Sequence, residues 1–279
     1  MRLDDFESVF RSALKPQFER ERVQLETVVH VSDQCTSDSE AEAQAVRGFL
    51  SAIDTGGHCA LVSLSRDDWG SAQDLLQKIA ELNPQLVVCQ RHLGDPDTDL
   101  AYTLGSVVDI LTQANEVPLL LLPVPGSPLL TSVRTMVVTD HLTQDAHLVN
   151  WGVHMTPDHG VLHLAHIEDE ARFEHFAHAM RRVPGVDTAP TLARLKEKLL
   201  GMPRDYVHAV QRTLQQENVQ EQVVPVVQFG EPLSLYPSLL AEHRVGLLIC
   251  TTKDPGQQAM ASLAHALAVT LRHLPLLLV

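Results

Sequence analysis

Long apolar runs are what this chain most lacks. The longest, "VPLLLLPVP" and "LPLLLV", fall far short of the ~20 residues needed to span a bilayer. Aromatic residues make up only 4% of the chain, which offers no platform for stacking bases. Positive charge is also scarce. Lys and Arg number 21 against 35 Asp and Glu, for a net charge of −14. Nucleic acid and anionic membrane surfaces would repel such a chain, and "RER" and "RR" are too short to form a basic patch. The four cysteines, Cys35, Cys59, Cys89 and Cys250, show no CxxC spacing and suit a reducing compartment. The opening "MRLDDFESVF" is acidic and has no signal-peptide core, so a cytoplasmic location is expected. No HExxH, G-x-S-x-G or Walker A sequence occurs.

What is present is a repeated pattern. "PQLVVCQRH" (84–92) and "RVGLLICTTK" (244–253) are continuous apolar runs that end in cysteine. Such runs suit strands buried on both faces of a parallel sheet. Each follows an amphipathic helix, at 71–83 and 232–243, which itself follows a strand-like run, "CALVSLSRDD" (59–68) or "VVPVVQFGEP" (223–232). Each leads through a polar loop and a second helix to a final run, 117–123 or 274–279. Upstream, "VVHVSD" (28–33) matches "HLAHIED" (163–169), which sets His30 against His166. Counting back from each histidine reaches Asp4 and Asp140. Asp140 ends the convincing strand "TMVVTD", whereas Asp4 ends only "MRLD", a stub.

The expected architecture is therefore α/β, with helices on both faces of parallel sheets. We expect two tandem, open, five-stranded Rossmann-like domains at 1–125 and 133–279, the first with a stunted opening strand. A Pro-, Gly- and Ser-rich linker, "PVPGSPLLTS", joins them.

The order of these features resembles the universal stress protein family in its tandem form. The likeness rests on "VVTD", "HIED" or "HVSD", "QFGEP" and "GSVVDILTQANEVPLLLLP", and covers nearly the whole chain. The resemblance implies a stress-response protein, in a family of which some members bind ATP. It implies nucleotide contacts at Asp4, Val31, Gly94, Gly105 and Ser106 in the first half, and at Asp140 and Ile167 in the second. It also implies that the halves pair internally as a pseudo-dimer through their last strands, with a further homodimer compatible. Pairing would protect two apolar edges from aggregation.

The ATP-binding branch carries G-x2-G-x9-G-[ST]. Its glycines let backbone N–H groups approach phosphates, at the positive end of a helix. In the first half Gln90 replaces the first glycine, ten residues separate Gly94 from Gly105, and Asp95, Asp97 and Asp99 would repel a polyphosphate. In the second half Thr251, Asp254, Ser262 and Leu263 stand at the motif positions, and the loop is about four residues shorter. The sequence therefore points to a non-enzymatic binding or regulatory protein with a degenerate nucleotide site and no cofactor. The alternatives are an ATP-binding protein or weak ATPase using the first domain, and a metal or small-ligand sensor.

Other residues have plainer readings. The fifteen histidines show no zinc spacing and read as solvated or hydrogen-bonded. Asp4 and Asp140 serve equally well as helix caps or as ligands. Cys89 and Cys250 read as small core residues rather than nucleophiles. The segment at about 170–221 reads as a helix pair, or one helix broken near "GMP", acting as packing, a partner surface or a lid.

Overall fold

The computed structural model describes residues 17–53, 59–95, 102–114, 116–124, 134–138, 145–183, 188–253 and 259–279. The strands are β1 (Thr27–Val31), β2 (Ala60–Leu64), β3 (Leu86–Gln90), β4 (Leu119–Leu122), β5 (Arg134–Val138), β6 (Val161–Asp169), β7 (Gln222–Gly230), β8 (Leu247–Cys250) and β9 (Leu276–Leu278). The helices are α1 (Thr36–Ala52), α2 (Ala72–Leu82), α3 (Ser106–Ala114), α4 (Ala146–His154), α5 (Glu170–Met180), α6 (Thr188–Gln216), α7 (Pro232–Glu242) and α8 (Ser262–Thr270). No helix among the described residues is long and apolar enough to cross a membrane.

All nine strands lie in one sheet, in the order β2-β1-β3-β4-β9-β8-β5-β6-β7. The fold class is the expected Rossmann-like α/β one, but the sheet is single and continuous rather than two separate five-stranded sheets. Every neighbouring pair is parallel except β4 and β9, which run antiparallel with Leu120 opposite Leu277. That seam joins four strands from the first half of the chain to five from the second.

Leu and Val dominate the central strands because both faces are covered. On one face α2, α3, α7 and α8 pack Leu75, Ile79, Val108, Leu111, Tyr236 and Leu267 against the sheet. On the other, α1, α4 and α6 supply Phe49, Val149, Trp151, Val207 and Val210. The segment at 17–22 also belongs to this second face. The Phe18 ring meets Tyr206 edge-on at 6.3 Å, Asn150 exchanges hydrogen bonds with the backbone of Glu19 and Glu21, and Arg20 pairs with Glu217 at 2.9 Å. The start of the described chain is thus bound to the second half of the sheet.

Sheet position changes the correspondence drawn from the sequence. Val31 of β1 pairs with Leu64 on one side and Cys89 on the other. Val138 of β5 pairs in the same way with Ala165 and Cys250. By position, then, β1 answers to β5 and β2 to β6, while β3 and β4 answer to β8 and β9. "VVHVSD" belongs with "MVVTD", not with "HLAHIED", and the counterpart of Asp140 is Asp33. The proposed stub and Asp4 lie outside the described residues, as does Asp140 itself. Among the described residues of the first half nothing answers to α5, α6 and β7, so β2 forms an open edge.

The helix expected to break near "GMP" does not. α6 runs unbroken for 29 residues with Pro203 inside it, and Pro203 is buried. A proline removes one backbone hydrogen bond. Here the apolar face through Leu192, Tyr206, Val207 and Val210 holds the helix on both sides of that gap.

Candidate functional site

The carboxyl ends of parallel strands are where α/β sheets hold ligands, above all where neighbouring connections leave in opposite directions. The chain goes from β1 outward to β2 and returns to β3 on β1's other side. Over that point lies a cleft of about 400 Å³. Asp33 and Gln34 enter it from beyond β1, Glu42 from α1, Gln90, Arg91 and His92 from the end of β3, and Val124 from beyond β4. Arg272 and His273 reach it from the turn before β9, so both halves of the sheet build the walls.

The glycines expected at a phosphate loop keep their special backbone. Gly94 and Gly105 have φ of +74° and +98°. A Cβ on Gly105 would lie 2.6 Å from the Cα of His92, so no other residue fits. Ser106 is the first residue of α3, as the pattern requires. Its donors, however, are already used. The Ser106 backbone N–H and hydroxyl both donate to the Asp95 carboxylate, at 2.8 and 3.1 Å. The Gly94 N–H points to Asp33 at 3.4 Å, and the Gly105 N–H to the Thr103 hydroxyl at 3.1 Å. The chain's own carboxylates sit on the N–H groups that would otherwise hold phosphate oxygens.

Arg91 is buried, and among the described residues no carboxylate pairs with it. Its guanidinium donates to the carbonyls of Leu122, Ala268, Leu271 and Leu274. Three of these acceptors belong to the last turn of α8 and the turn beyond it, where a helix presents unpaired carbonyls and partial negative charge. Burial lowers the Arg91 pKa to about 10. One side chain from the end of β3 thus ties together β4 and α8 across the seam.

His92 has φ of +57° and is 5% exposed. The Arg272 guanidinium donates to His92 Nε2 at 3.2 Å. Burial first, then Arg272, lowers the His92 pKa and favours the neutral ring. Beside the cleft, fully buried His30 meets the Ser63 hydroxyl through Nδ1 at 3.0 Å, and its Nε2 lies 3.8 Å from Glu42. Glu42 also accepts a 2.6 Å hydrogen bond from Ser32. Burial, aided by Arg47, pulls His30 down to about 4, and burial raises Glu42.

Of the residues expected to contact nucleotide, Gly94, Gly105 and Ser106 gather around the loop beside the cleft. Val31 and Ile167 are buried in β1 and β6 and do not line it. Sequence reasoning missed Asp33, Glu42, Arg91, His92 and Arg272. Asp33 was within reach, since "VVHVSD" and "MVVTD" both end an apolar run with a hydroxyl residue and Asp. Arg272 was not, because only the β4–β9 seam brings it near.

The second half places different chemistry in the matching position. After Cys250 the Thr252 N–H donates to the Val279 carbonyl, and Thr252 in turn accepts from Ala261. Lys253 donates to the Gln113 carbonyl of α3 at 3.0 Å. α8 begins at Ser262 with no side-chain cap. Cys89 and Cys250 are both buried, and burial pushes the Cys89 thiol up to about 12. Among the described residues no group of three or more His, Cys, Asp or Glu could hold a metal ion.

No family model matches this sequence, and no curated protein matches it. Solved structures do. A universal stress protein from Archaeoglobus fulgidus DSM 4304 superposes over 91% of this chain and 96% of its own, with a TM-score of 0.52 at 11% identity. A protein of Pseudomonas aeruginosa UCBPP-PA14, provisionally described as a universal stress protein, covers 91% of this chain and 93% of its own, with a TM-score of 0.50 at 10% identity. This chain has the fold of the universal stress proteins.

Proposed function

We propose that the chain is a tandem universal stress protein, acting in a reducing, cytoplasmic compartment as a ligand-binding regulatory protein rather than an enzyme. Its working site is the cleft beyond β1 and β3, a nucleotide site that no longer grips a triphosphate. One observation carries this reading: the Asp95 carboxylate occupies both donors of Ser106. A phosphate there would meet a fixed negative charge instead of N–H groups. The enclosure of two of its titratable neighbours supports a binding role. His30 is neutral at physiological pH and enclosed, and Arg91 is fully engaged with backbone carbonyls.

The rival reading, nucleotide binding in the first half, draws on Gly94 and Gly105, which keep the left-handed backbone of a phosphate loop. Thermal unfolding with Mg–ATP separates the two. A nucleotide at 100 times its Kd stabilises by about 2.7 kcal/mol. The wild-type chain is expected to show none of this, whereas Asp95→Ala, with the Ser106 donors released, is expected to gain a measurable shift. ATP retained on freshly purified wild-type protein would overturn the reading.

A further inference from the structure

We propose that two copies of this chain join through β2, antiparallel about a twofold axis at Val62, so that their sheets continue into one another. The inference is independent of what the cleft binds.

The two outer edges of the sheet are built in opposite ways. At the β7 edge, Gln222 donates to the Gly160 carbonyl. The alternation of a parallel ladder then turns the backbone groups of Val224, Val226 and Gln228 toward β6, and those of Val223, Pro225 and Val227 outward. The outward groups are largely taken. The Val223 carbonyl accepts from the Gln211 side chain at 2.9 Å and the Val227 carbonyl from Arg204 at 3.2 Å. Pro225 has no N–H to offer. Proline and covering side chains are means by which an edge strand is kept from pairing with another chain.

The β2 edge has none of these devices. Ala60 donates to the Glu26 carbonyl and Ser32 to the Leu64 carbonyl. Ala60, Val62 and Leu64 therefore face β1 with their backbone groups, and the N–H and C=O groups of Leu61 and Ser63 face outward. Among the described residues nothing bonds to these outward groups. The strand reads "ALVSL", with no charge and no proline. Ala60 is exposed, and Leu61, Val62 and Ser63 are half-buried. Val62 packs on the core of the α2 face and Leu61 on that of the α1 face. Apolar surface thus stops short at this edge on both sides of the sheet.

A second copy of β2 fits this edge in one register. Leu61 opposite Ser63 of the copy, and Ser63 opposite its Leu61, satisfies every outward group of both strands and sets Val62 against Val62. One surface meeting itself about a twofold axis forms a closed pair. Charge agrees with the antiparallel direction. Asp67 and Asp68 follow β2, and in this direction they lie beside the start of the copy's strand. A parallel pairing would set them against their own counterparts. The chain already closes one uncharged edge in this manner, where β4 and β9 meet antiparallel with Leu120 opposite Leu277.

The test is the mass of the full chain in solution, by sedimentation equilibrium. A five-residue strand pair is at the small end of stable interfaces, so the series runs to roughly 100 µM. The wild type is expected at twice the chain mass. Val62→Lys places two ammonium groups together across the axis, and Leu61→Pro removes an outward N–H that nothing within the chain uses. Each, checked for a normal unfolding transition, is expected to weaken the pair about tenfold or more. Val62→Cys, oxidised with diamide, is expected to give a dimer linked through the introduced thiols. Peptide mapping separates that link from any through Cys35 or Cys59, which are not buried. A single-chain mass throughout the series, assembly beyond two chains, or a dimer that survives both Val62→Lys and Leu61→Pro overturns the proposal. Should both variants fail to fold, the cross-link decides: a bond at position 62 supports the pairing, and its absence overturns it.

Discussion

The loop after β3 and the loop after β8 occupy matching places in the sheet and do opposite things. The first opens a cleft with two left-handed glycines and a buried arginine. The second closes on itself, with Thr252 tied to the Val279 carbonyl. The outer strands differ in the reverse sense. β6 is paired along its length by β7 and overlain by α5 and α6, whereas the matching β2 has no outer neighbour among the described strands. The described residues of the first half leave a cleft at this end of the sheet, whereas those of the second half bond to one another there. The lesson is that strands in matching sheet positions need not carry matching chemistry, because strand position is set by packing and site chemistry by a few loop residues.

The sharpest test of that contrast is Arg91 against Thr252, which stand at matching positions two residues past Cys89 and Cys250. Arg91→Ala strands buried carbonyls of Leu122, Ala268, Leu271 and Leu274, for an expected loss of about 4 kcal/mol. Thr252→Ala, whose loop bonds run through its backbone, should stay within about 0.5 kcal/mol. Urea midpoints of the two variants check this, and equal losses would remove the asymmetry.

His30 and Val137 form the next matched pair, each one residue before the last of its strand. Folded His30 titrates near 4 against 6.5 when unfolded. The unfolded chain therefore takes the proton first as pH falls below 6.5. Stability should be full above that pH and drop until about pH 4, by up to about 3 kcal/mol. Glu42, raised by burial, contributes with the opposite sign, since its share is lost as pH rises. Substituting the second half's residue, His30→Val, should flatten the decline between pH 6.5 and 4 in denaturant titrations. A slope unchanged by the substitution would assign the acid sensitivity elsewhere.

Gly105 faces Ser262 in the comparison. With φ of +98° and a Cβ that would strike His92, Gly105→Ala should cost roughly 2 kcal/mol. The cleft should be damaged with it, as measured by loss of whatever ligand shift the wild type shows. A smaller loss is expected from Asp95→Ala, which removes the carboxylate bonded to the first residue of α3. About 1 kcal/mol is expected, as for loss of a helix cap. An unfolding midpoint that does not move would mean the Asp95 contacts to Ser106 carry no energy.

The amino-acid sequence by itself determined the α/β class, the apolar central strands and the helices between them. These follow from local periodicity, and local periodicity survives in any context. It also determined where Gly94, Gly105 and Ser106 would stand, because their spacing is read along the chain. It could not determine which strand lies beside which. β1 and β6 are both buried apolar runs containing a histidine, and such runs look alike wherever a parallel sheet is covered on both faces. The match of "VVHVSD" with "HLAHIED" failed for that reason, and Asp33 was overlooked with it. Tertiary structure alone decided that β4 and β9 would meet, that Arg272 would enter a cleft more than 170 residues away from Arg91 and His92, and that Asp95 would cover the donors of Ser106. Those outcomes depend on contacts between residues far apart in the chain, whose energies no single segment contains.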